Sequence, residues 1–186
     1  METFPFFTQR LVLRAFRTED AEAFSAYRSD PLVARYQGWD APYPLEHAQE
    51  FAAEMQAKQP GAPDEWYQVA LERRAEPGLI GDLAFQVQAG EVPQARMGFT
   101  LARTHQGQGY AAEAAARLLA YLFEMLNIHR ISAVCDVENT SSARLLERLG
   151  MRREAHFIEN IWFKGAWGSE YLYALLAEEW FQARAG

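Results

Sequence analysis

The stretch Leu101-Ala-Arg-Thr-His-Gln-Gly-Gln-Gly-Tyr-Ala-Ala-Glu-Ala-Ala115 marks the point where an alternating apolar pattern gives way to a helical one. Two closely spaced glycines, Gly107 and Gly109, allow positive φ angles and a close approach of another group to the backbone. The first N–H groups of the helix that follows have no partner inside the helix and carry the positive end of its dipole. The stretch therefore predicts an anion-binding turn, well suited to a pyrophosphate.

The segments on either side of this turn predict a strand–helix–strand crossover. Residues 67–72, 82–88 and 95–101 each alternate between apolar and polar or small side chains. They predict three strands of an antiparallel meander. Residues 110–126 carry apolar side chains at helical spacing, and a buried strand is predicted over 131–137. A helix between two strands of one sheet implies that those strands are parallel.

The remaining elements follow from shorter patterns. An alternating run over residues 11–16 predicts the first strand, and Thr18 is a suitable N-cap for a helix that ends at Asp30–Pro31. Ser141 is a suitable cap for a helix that ends at Gly150. The other predicted elements are helices over 45–58 and 177–185 and strands over 153–163 and 170–176.

A second informative segment, Asp136-Val-Glu-Asn-Thr-Ser-Ser-Ala-Arg-Leu-Leu-Glu-Arg-Leu-Gly-Met151, joins a strand end to a short amphipathic helix. Asn139 offers a donor and an acceptor toward the end of the strand, and Ser142 offers a hydroxyl. Both residues also have an ordinary structural interpretation, since Asn and Ser before a helix usually cap it. A glycine-rich turn before a helix is likewise often only a tight turn.

The glycine turn differs from two common nucleotide-binding fingerprints. It lacks the third glycine of the dinucleotide-binding motif, and no Lys–Ser/Thr pair follows it as in a P-loop. A nucleotide-binding protein that uses this turn for ATP is therefore disfavoured, and competition between ATP and CoA for one site would test that alternative.

Taken together, the two segments resemble the GNAT superfamily of acetyltransferases. Gln106-Gly-Gln-Gly-Tyr-Ala111 is similar to the Q/R-x-x-G-x-G/A pyrophosphate loop of that family, and 139–151 is similar to the N-x-x-S…L-G-F/M element of its RimJ/RimL-like branch. Thr8-Gln-Arg-Leu-Val-Leu-Arg14 and Glu178-Glu-Trp180 resemble the same branch. The resemblance implies one domain over residues 1–186 with the acyl-CoA N-acyltransferase fold. That fold is of the α+β class, with a mixed, mostly antiparallel sheet of about seven strands flanked by helices.

The resemblance also implies acetyl-CoA as the cosubstrate and assigns residues to it. The backbone of Phe99, Thr100 and Leu101 is expected to pair with the pantetheine arm, which Asn139 would also contact. Ser142 is expected near the thiol, where it would protonate the departing thiolate, although many family members use a tyrosine for that step. The pyrophosphate would be held by Gln106, Gly107, Gln108, Gly109, Tyr110 and Ala111.

The implied reaction is direct transfer to a primary amine, which must lose a proton to a base. Glu138 and Asp136 lie at a suitable strand end, and Glu138 is the expected catalytic base. Tyr36 and Trp39, in a Pro- and Gly-punctuated loop, are candidates for lining an acceptor groove, although core packing is the default for aromatic residues. Other candidate bases, each of which also fits an ordinary surface group, are Glu91, Glu159, Glu170 and His105.

Composition restricts the partners. The net charge of −7 argues against nucleic acids and anionic membranes and is compatible with a cationic amine, either a small molecule or a protein N-terminus. A single cysteine, Cys135, and the lack of a secretory pattern at the N-terminus predict a cytoplasmic protein. The His and Cys residues lack metal-ligand spacing, so no metal is expected. A homodimer is expected because dimers are common among the proteins that the chain resembles.

Several residues fit the role of the base and none is singled out by a motif, which leaves a second functional class open. A catalytically idle GNAT domain would bind CoA or a partner chain as a sensor or interaction module. Detectable turnover with any amine would exclude it.

Overall fold

The computed structural model describes residues 4–185. These residues contain one eight-stranded sheet. The strands are β1 (Phe6–Phe7), β2 (Leu11–Arg14), β3 (Trp66–Arg73), β4 (Leu79–Gln88), β5 (Gln94–Leu101), β6 (Arg130–Asp136), β7 (Arg152–Phe163) and β8 (Ala166–Leu176). Their order is β1-β2-β3-β4-β5-β6-β8-β7. Neighbouring strands are antiparallel except for the parallel pair β5 and β6. The predicted meander, crossover and mixed, mostly antiparallel sheet are confirmed.

The helices connect and cover these strands. They are α1 (Ala21–Arg28), α2 (Pro31–Ala34), α3 (Leu45–Ala57), α4 (Tyr110–Ala120), α5 (Thr140–Arg148) and α6 (Ala177–Ala185). Short 3₁₀ turns at Thr18–Asp20 and Arg103–His105 precede α1 and α4, and a π-helical turn over Tyr121–Met125 continues α4. Within residues 4–185, no helix has the length and apolar character required to span a membrane.

Different helices bury the two faces of the sheet. The larger core lies on the α4 side and includes Leu118, Leu122 and Trp180 of α6, all packed against apolar side chains of the strands. The smaller core lies on the α1 and α3 side and includes Phe24 and Met55. Each large apolar side chain that is fully buried contributes about 1.5–3 kcal/mol to folding. The sheet is therefore a rigid platform for the residues at its strand ends.

The sequence predicts about seven strands, and the structure adds an eighth. Strand β1 has only two residues, Phe6 and Phe7, which is too short for an alternating pattern to be detected. The first predicted strand also ends earlier than expected, at Arg14. There the buried guanidinium binds both carboxylate oxygens of Asp20 at 2.7 Å and one of Glu72 at 2.9 Å.

The helix caps differ from expectation at two positions. Thr18 opens a 3₁₀ turn rather than α1, and that turn is closed by Asp20, whose carboxylate accepts the backbone N–H of Arg17 at 2.8 Å. Asn139, not Ser141, caps α5 through a hydrogen bond from the Ser142 N–H to its side-chain oxygen at 3.1 Å. Asn139 thus takes the capping role predicted for Ser141. Asp20 instead bonds back to the N–H at the start of the 3₁₀ turn, as the acid of a capping box does.

Candidate active site

The parallel strands β5 and β6 separate along their length. They are in register over three residue pairs only, 94–96 against 130–132, although β5 runs on to Leu101 and β6 to Asp136. Each strand stays paired on its outer side, β5 with β4 and β6 with β8. In the described chain, the inner edge of each strand beyond the paired residues therefore has no strand partner and can hydrogen-bond an extended ligand.

A cleft of about 560 Å³ opens at the diverging ends of these strands. Its lining includes Phe99, Thr100 and Leu101 of β5 together with Asn139 and Ser142 from the end of β6 and from α5. The remaining lining residues are Leu32, Val33, Tyr36 and Gln37 in and after α2, Gln106, Gly107, Gly109, Tyr110, Ala111 and Ala112 at the start of α4, and Ser141, Arg144, Leu145 and Arg148 on α5.

The turn before α4 has the backbone shape that its glycines predict. Gly107 has a φ of +73° and Gly109, the N-cap of α4, has a φ of +81°. The Gln106 side-chain amide donates to the Leu101 carbonyl at 2.9 Å, and that of Gln108 donates to the Thr104 carbonyl at 2.9 Å. These bonds hold the turn at a helix N-terminus, where unpaired N–H groups and the helix dipole favour an anion.

The α5 side of the cleft adds positive charge. Arg144 and Arg148 lie one helical turn apart, and both line the cleft. The Asn139 cap fixes the first turn of the same helix, which carries Ser142. The cleft is thus locally cationic in a chain whose net charge is −7.

Asp30 fixes α2 beside the cleft. One carboxylate oxygen caps α2 by accepting the Leu32 N–H at 2.9 Å, and the other accepts a hydrogen bond from Arg103 Nε at 2.6 Å. The hydrogen bond from Arg103 is the main cause of a lowered Asp30 pKa. Because Arg103 lies just before the glycine turn, one carboxylate connects the α2 wall to the turn that opens α4.

The cleft brings together most of the ligand-binding residues predicted from the sequence. The residues that line it are Phe99, Thr100, Leu101, Gln106, Gly107, Gly109, Tyr110, Ala111, Asn139, Ser142 and, from the predicted acceptor groove, Tyr36. Gln108, Glu138 and Trp39 lie outside the lining. The Gln108 side chain is exposed and bonded to Thr104, and its carbonyl accepts a hydrogen bond from Arg10 at 2.9 Å.

Glu138 is exposed at the start of the loop between β6 and α5 and forms an ion pair with Arg35 at 2.9 Å. This contact joins the loop to the end of α2. The Glu138 carboxylate is therefore engaged by Arg35 and does not line the cleft. The sequence could not reveal this contact, because the partner lies about a hundred residues away in the chain.

Trp39 packs into the smaller core rather than into the cleft. Its indole N–H donates to the Arg28 carbonyl at 3.1 Å, and the centre of its ring lies 3.8 Å from the Arg28 guanidinium carbon. Arg28 is 5% exposed and also stacks on Phe24. An aromatic enclosure stabilises a desolvated guanidinium, which explains why the loop contains large aromatic residues.

The other candidate bases also lie outside the cleft lining. Glu91 is in the β4–β5 turn, at the far end of β5 and on the order of 25 Å from Leu101 by strand length. His105 is near Arg73, and burial lowers its pKa. Asp136 and Glu170 are directly opposite each other on β6 and β8. Glu159 occupies a bulge of β7. Among residues 4–185, no carboxylate or imidazole lines the cleft.

A thiol nucleophile is also disfavoured. Cys135 is buried, and burial is the main cause that raises its pKa to about 11. Such a thiol is protonated near neutral pH and is a poor nucleophile. In the part of the chain that the structure describes, no group of three or more His, Cys, Asp or Glu residues could hold a metal ion.

Sequence reasoning missed two parts of the lining. The α2 residues follow an Asp-Pro helix start, which is a recognisable signal, but their position beside the cleft depends on the distant Arg103. Arg144 and Arg148 were visible as an i, i+4 pair on a predicted helix. Only the structure shows that this face of the helix meets the cleft.

Comparison with known proteins identifies the family to which this fold belongs. The sequence model of the family described as "Acetyltransferase (GNAT) domain" matches residues 10–152. The chain is 38% identical over 173 residues to the "Uncharacterized N-acetyltransferase YnaD" of Bacillus subtilis (strain 168), an alignment that covers 93% of this chain and 97% of that protein.

Solved structures give the same result. A GNAT-family acetyltransferase from Bacillus anthracis superimposes with a TM-score of 0.84 at 33% identity, over 95% of this chain and all of that one. RimJ of Mycobacterium smegmatis in complex with CoA-disulfide superimposes with a TM-score of 0.80 at 26% identity, over 91% of this chain and 83% of that one. The chain belongs to the GNAT family and is an N-acetyltransferase.

Proposed function

We propose that the protein transfers the acetyl group of acetyl-CoA to a primary amine. The observation that carries this proposal is the unpaired inner edge of β5, which ends close to a glycine turn and a helix N-terminus. A free strand edge can pair with an extended chain of amides, and a helix N-terminus can bind a diphosphate. Acetyl-CoA contains both groups, and the cleft volume of about 560 Å³ is in the usual range for small-molecule sites.

The lining residues divide naturally between the parts of this ligand. The backbone of Phe99, Thr100 and Leu101 would pair with the pantetheine amides, and Asn139 would contact the same arm from the opposite wall. The pyrophosphate would meet the N–H groups of the turn from Gln106 to Ala111. Arg144 and Arg148 add cations that suit a ligand with several phosphate charges.

Ser142 is the proposed acid for the departing thiolate. Acetyl-CoA, when bound, supplies an acetyl group activated as a thioester. The Ser142 side chain lines the cleft, and its position is fixed by the Asn139 cap in the first turn of α5. A hydroxyl held in this way can donate a proton to sulfur without a change in backbone position, while its oxygen regains a proton from solvent water.

Water is the proposed route for the proton that the amine loses. The absence of carboxylates and imidazoles from the described cleft lining argues against direct contact between a base and the amine. Asp136 and Glu138 lie at the C-terminal end of β6, next to Asn139 in sequence, and we propose that they accept the proton through water. Of the two carboxylates, that of Glu138 is already engaged by Arg35 at 2.9 Å.

The acceptor is proposed to be a cationic amine, either a small molecule or a protein N-terminus. Carboxylates of Asp136, Glu138 and Glu170 are concentrated near the C-terminal end of β6. Lys164, in the β7–β8 turn, donates to the carbonyls of Ala34 and Trp39 at 2.8 and 2.6 Å, which joins the hairpin to the chain around Tyr36. We propose that the amine enters beside this contact. A cytoplasmic location and a homodimer stay predictions from the sequence.

The alternative that the test must exclude is a domain without activity. A cleft without a lining base is what a CoA-binding domain with no catalytic activity would have. Such a domain would serve as a sensor or interaction module.

Turnover distinguishes the two functions. The purified protein would be incubated with acetyl-CoA and a panel of amines containing polyamines, amino acids and peptides with free N-termini, and release of free thiol would be recorded. Thiol release that depends on one class of amine supports the enzyme. Tight binding of acetyl-CoA without release for any amine in the panel supports the sensor.

A further inference from the structure

Glu113 lies in the first turn of α4, at the helix end that opens the cleft, and both of its carboxylate oxygens are engaged by the N-terminal segment. Oε1 accepts hydrogen bonds from the Thr8 hydroxyl at 2.5 Å and from the Arg10 backbone N–H at 2.8 Å. Oε2 accepts one from Arg10 Nε at 2.7 Å. Residues more than a hundred positions apart are thus joined at the N-terminus of α4.

Arg10 also contacts the glycine turn directly. Its Nη1 donates to the Gln108 carbonyl at 2.9 Å, and its guanidinium carbon lies 4.5 Å from the centre of the Tyr110 ring. A Cβ atom added to Gly109 would lie 3.3 Å from Arg10 Nη2. One guanidinium therefore contacts Gln108 and Tyr110 and lies beside Gly109, in the turn that the proposed function assigns to pyrophosphate.

Glu113 places a negative charge in the first turn of α4. Partial burial favours a raised pKa, but hydrogen bonds from Thr8 and from the Arg10 backbone and side chain outweigh it and lower the Glu113 pKa. The carboxylate is therefore ionised near neutral pH. An uncompensated negative charge in this turn would repel a bound diphosphate and cancel part of the attraction of the helix dipole.

Arg14, four residues further along, has a different role. Its guanidinium is buried and binds Asp20 and Glu72 within the fold, away from the turn before α4. The Arg10 side chain is 43% exposed, and its partners are in the glycine turn and the first turn of α4. The contacts of Arg14 hold parts of the fold together. The contacts of Arg10 are instead directed to the glycine turn and the first turn of α4.

We propose that Arg10 is a positioning residue for the pyrophosphate turn: it holds the Gln108 carbonyl and neutralises Glu113, so that the N-terminus of α4 can accept a diphosphate. This inference rests on the proposed function, because it assumes that acetyl-CoA binds at this turn. It assigns a binding role to the N-terminal segment Thr8–Arg10, which does not line the cleft.

The test is a set of variants titrated calorimetrically with acetyl-CoA at low ionic strength. Arg10→Gln should weaken binding by about five- to tenfold, since it leaves Glu113 without its cation. Glu113→Gln should bind as tightly as wild type or more tightly. The double variant Arg10→Gln/Glu113→Gln should recover most of the lost affinity, because the repelling charge is gone.

Two further measurements separate this role from a general structural one. Arg74→Gln removes an exposed cation that bonds to the Thr8 carbonyl at 3.0 Å, without touching the turn, and should leave affinity unchanged. If an amine acceptor has been found, the kcat/KM for S-acetylpantetheine, which lacks the diphosphate, should be the same for Arg10→Gln and wild type. Thermal unfolding midpoints check that each variant is folded, and Arg10→Met, which also removes the charge, replaces Arg10→Gln if the latter does not fold.

Each outcome has a distinct meaning. Failure of the wild-type protein to bind acetyl-CoA would remove the proposed function itself. Tight binding by wild type with equal affinity for Arg10→Gln would overturn only the role of Arg10. A loss of affinity in Arg10→Gln that the added Glu113→Gln change does not reverse would also overturn the electrostatic account.

Discussion

At the scale of single residues, Ser142 offers the sharpest chemical test. Ser142→Ala removes the hydroxyl proposed to protonate the thiolate, and kcat should fall by about 10²-fold, as for loss of a general acid. Affinity for acetyl-CoA should change little, because the Asn139 cap uses the backbone N–H of Ser142. Steady-state kinetics and titration measure the two quantities. Ser141→Ala removes a neighbouring hydroxyl of the same lining, and equal kcat values for the two variants would contradict the assignment.

Gly109 tests the anion site without changing charge. Its φ of +81° is unfavourable for a β-branched residue, and a new Cβ would approach Arg10. Gly109→Val should therefore abolish measurable binding of acetyl-CoA in calorimetry. The matched control is Gly90→Ala in the distant β4–β5 turn, where φ is not positive and the nearest atom is 3.7 Å from the new Cβ. Unimpaired binding by Gly109→Val would remove the turn from the site.

The residues whose local geometry the sequence indicates share a property that the others lack. Gly107, Gly109 and Asn139 act through their own backbone or an adjacent turn, so local spacing reveals them. The sequence does not predict the positions of Trp39 and Glu138, because their orientation depends on contacts with Arg28 and Arg35 across the fold. Side chains whose environment depends on tertiary partners have no local signal.

At the scale of elements, the short helix α2 depends on its cap. A four-residue helix has little intrinsic stability, and Asp30 supplies both a cap and the link to Arg103. Asp30→Ala should lower the free energy of unfolding, because the lost cap leaves the Leu32 N–H without its side-chain acceptor. Asp30→Asn keeps the cap and should recover most of the stability lost in Asp30→Ala, since exposed ion pairs contribute little. Urea unfolding measures both, and equal losses in the two variants would contradict this account.

The pairing of elements was predictable, but the separation within a pair was not. The switch from alternation to helical spacing at Leu101 predicts a crossover and hence a parallel pair. Nothing in either strand indicates that β5 and β6 stay paired for only three residues. The separation of β5 and β6 depends on the helices and side chains packed around the strand ends. It decides whether a ligand can enter between the two strands.

At the scale of the whole molecule, an ion-pair cluster links three parts of the C-terminal half. Glu154 on β7 is bonded to Arg130 on β6 and to Arg152, which also pairs with Glu179 on α6. The hydrogen bond from Arg130 is the main cause that lowers the Glu154 pKa from 4.5 to about 2. This depressed pKa contributes stability that is fully present above pH 4.5 and is lost as pH falls toward 2.

The resulting prediction concerns acid unfolding. Glu154→Gln should be less stable than wild type at pH 7, and the difference should shrink as pH falls through the range between the two pKa values. Denaturant unfolding at several pH values measures it. Glu50→Gln, an exposed position on α3, is the matched control and should leave the pH dependence unchanged. A Glu154→Gln deficit that is independent of pH would contradict the charge-based explanation.

Overall charge and local charge point in opposite directions in this molecule. The net charge of −7 predicts that nucleic acids and anionic membranes are not partners. The cleft nevertheless combines a helix N-terminus with Arg144 and Arg148. Composition averages over the surface, whereas a binding site depends on which few groups the fold brings together.

Calorimetric titration of the purified wild-type protein with acetyl-CoA tests the central claim most directly. Because the glycine turn, the free edge of β5 and the two arginines converge on one cleft, we predict saturable 1:1 binding with a Kd in the micromolar range, about −8 kcal/mol. Binding should be lost in Gly109→Val and kept in Ser142→Ala. A wild-type protein that shows no heat of binding up to millimolar acetyl-CoA would contradict the account.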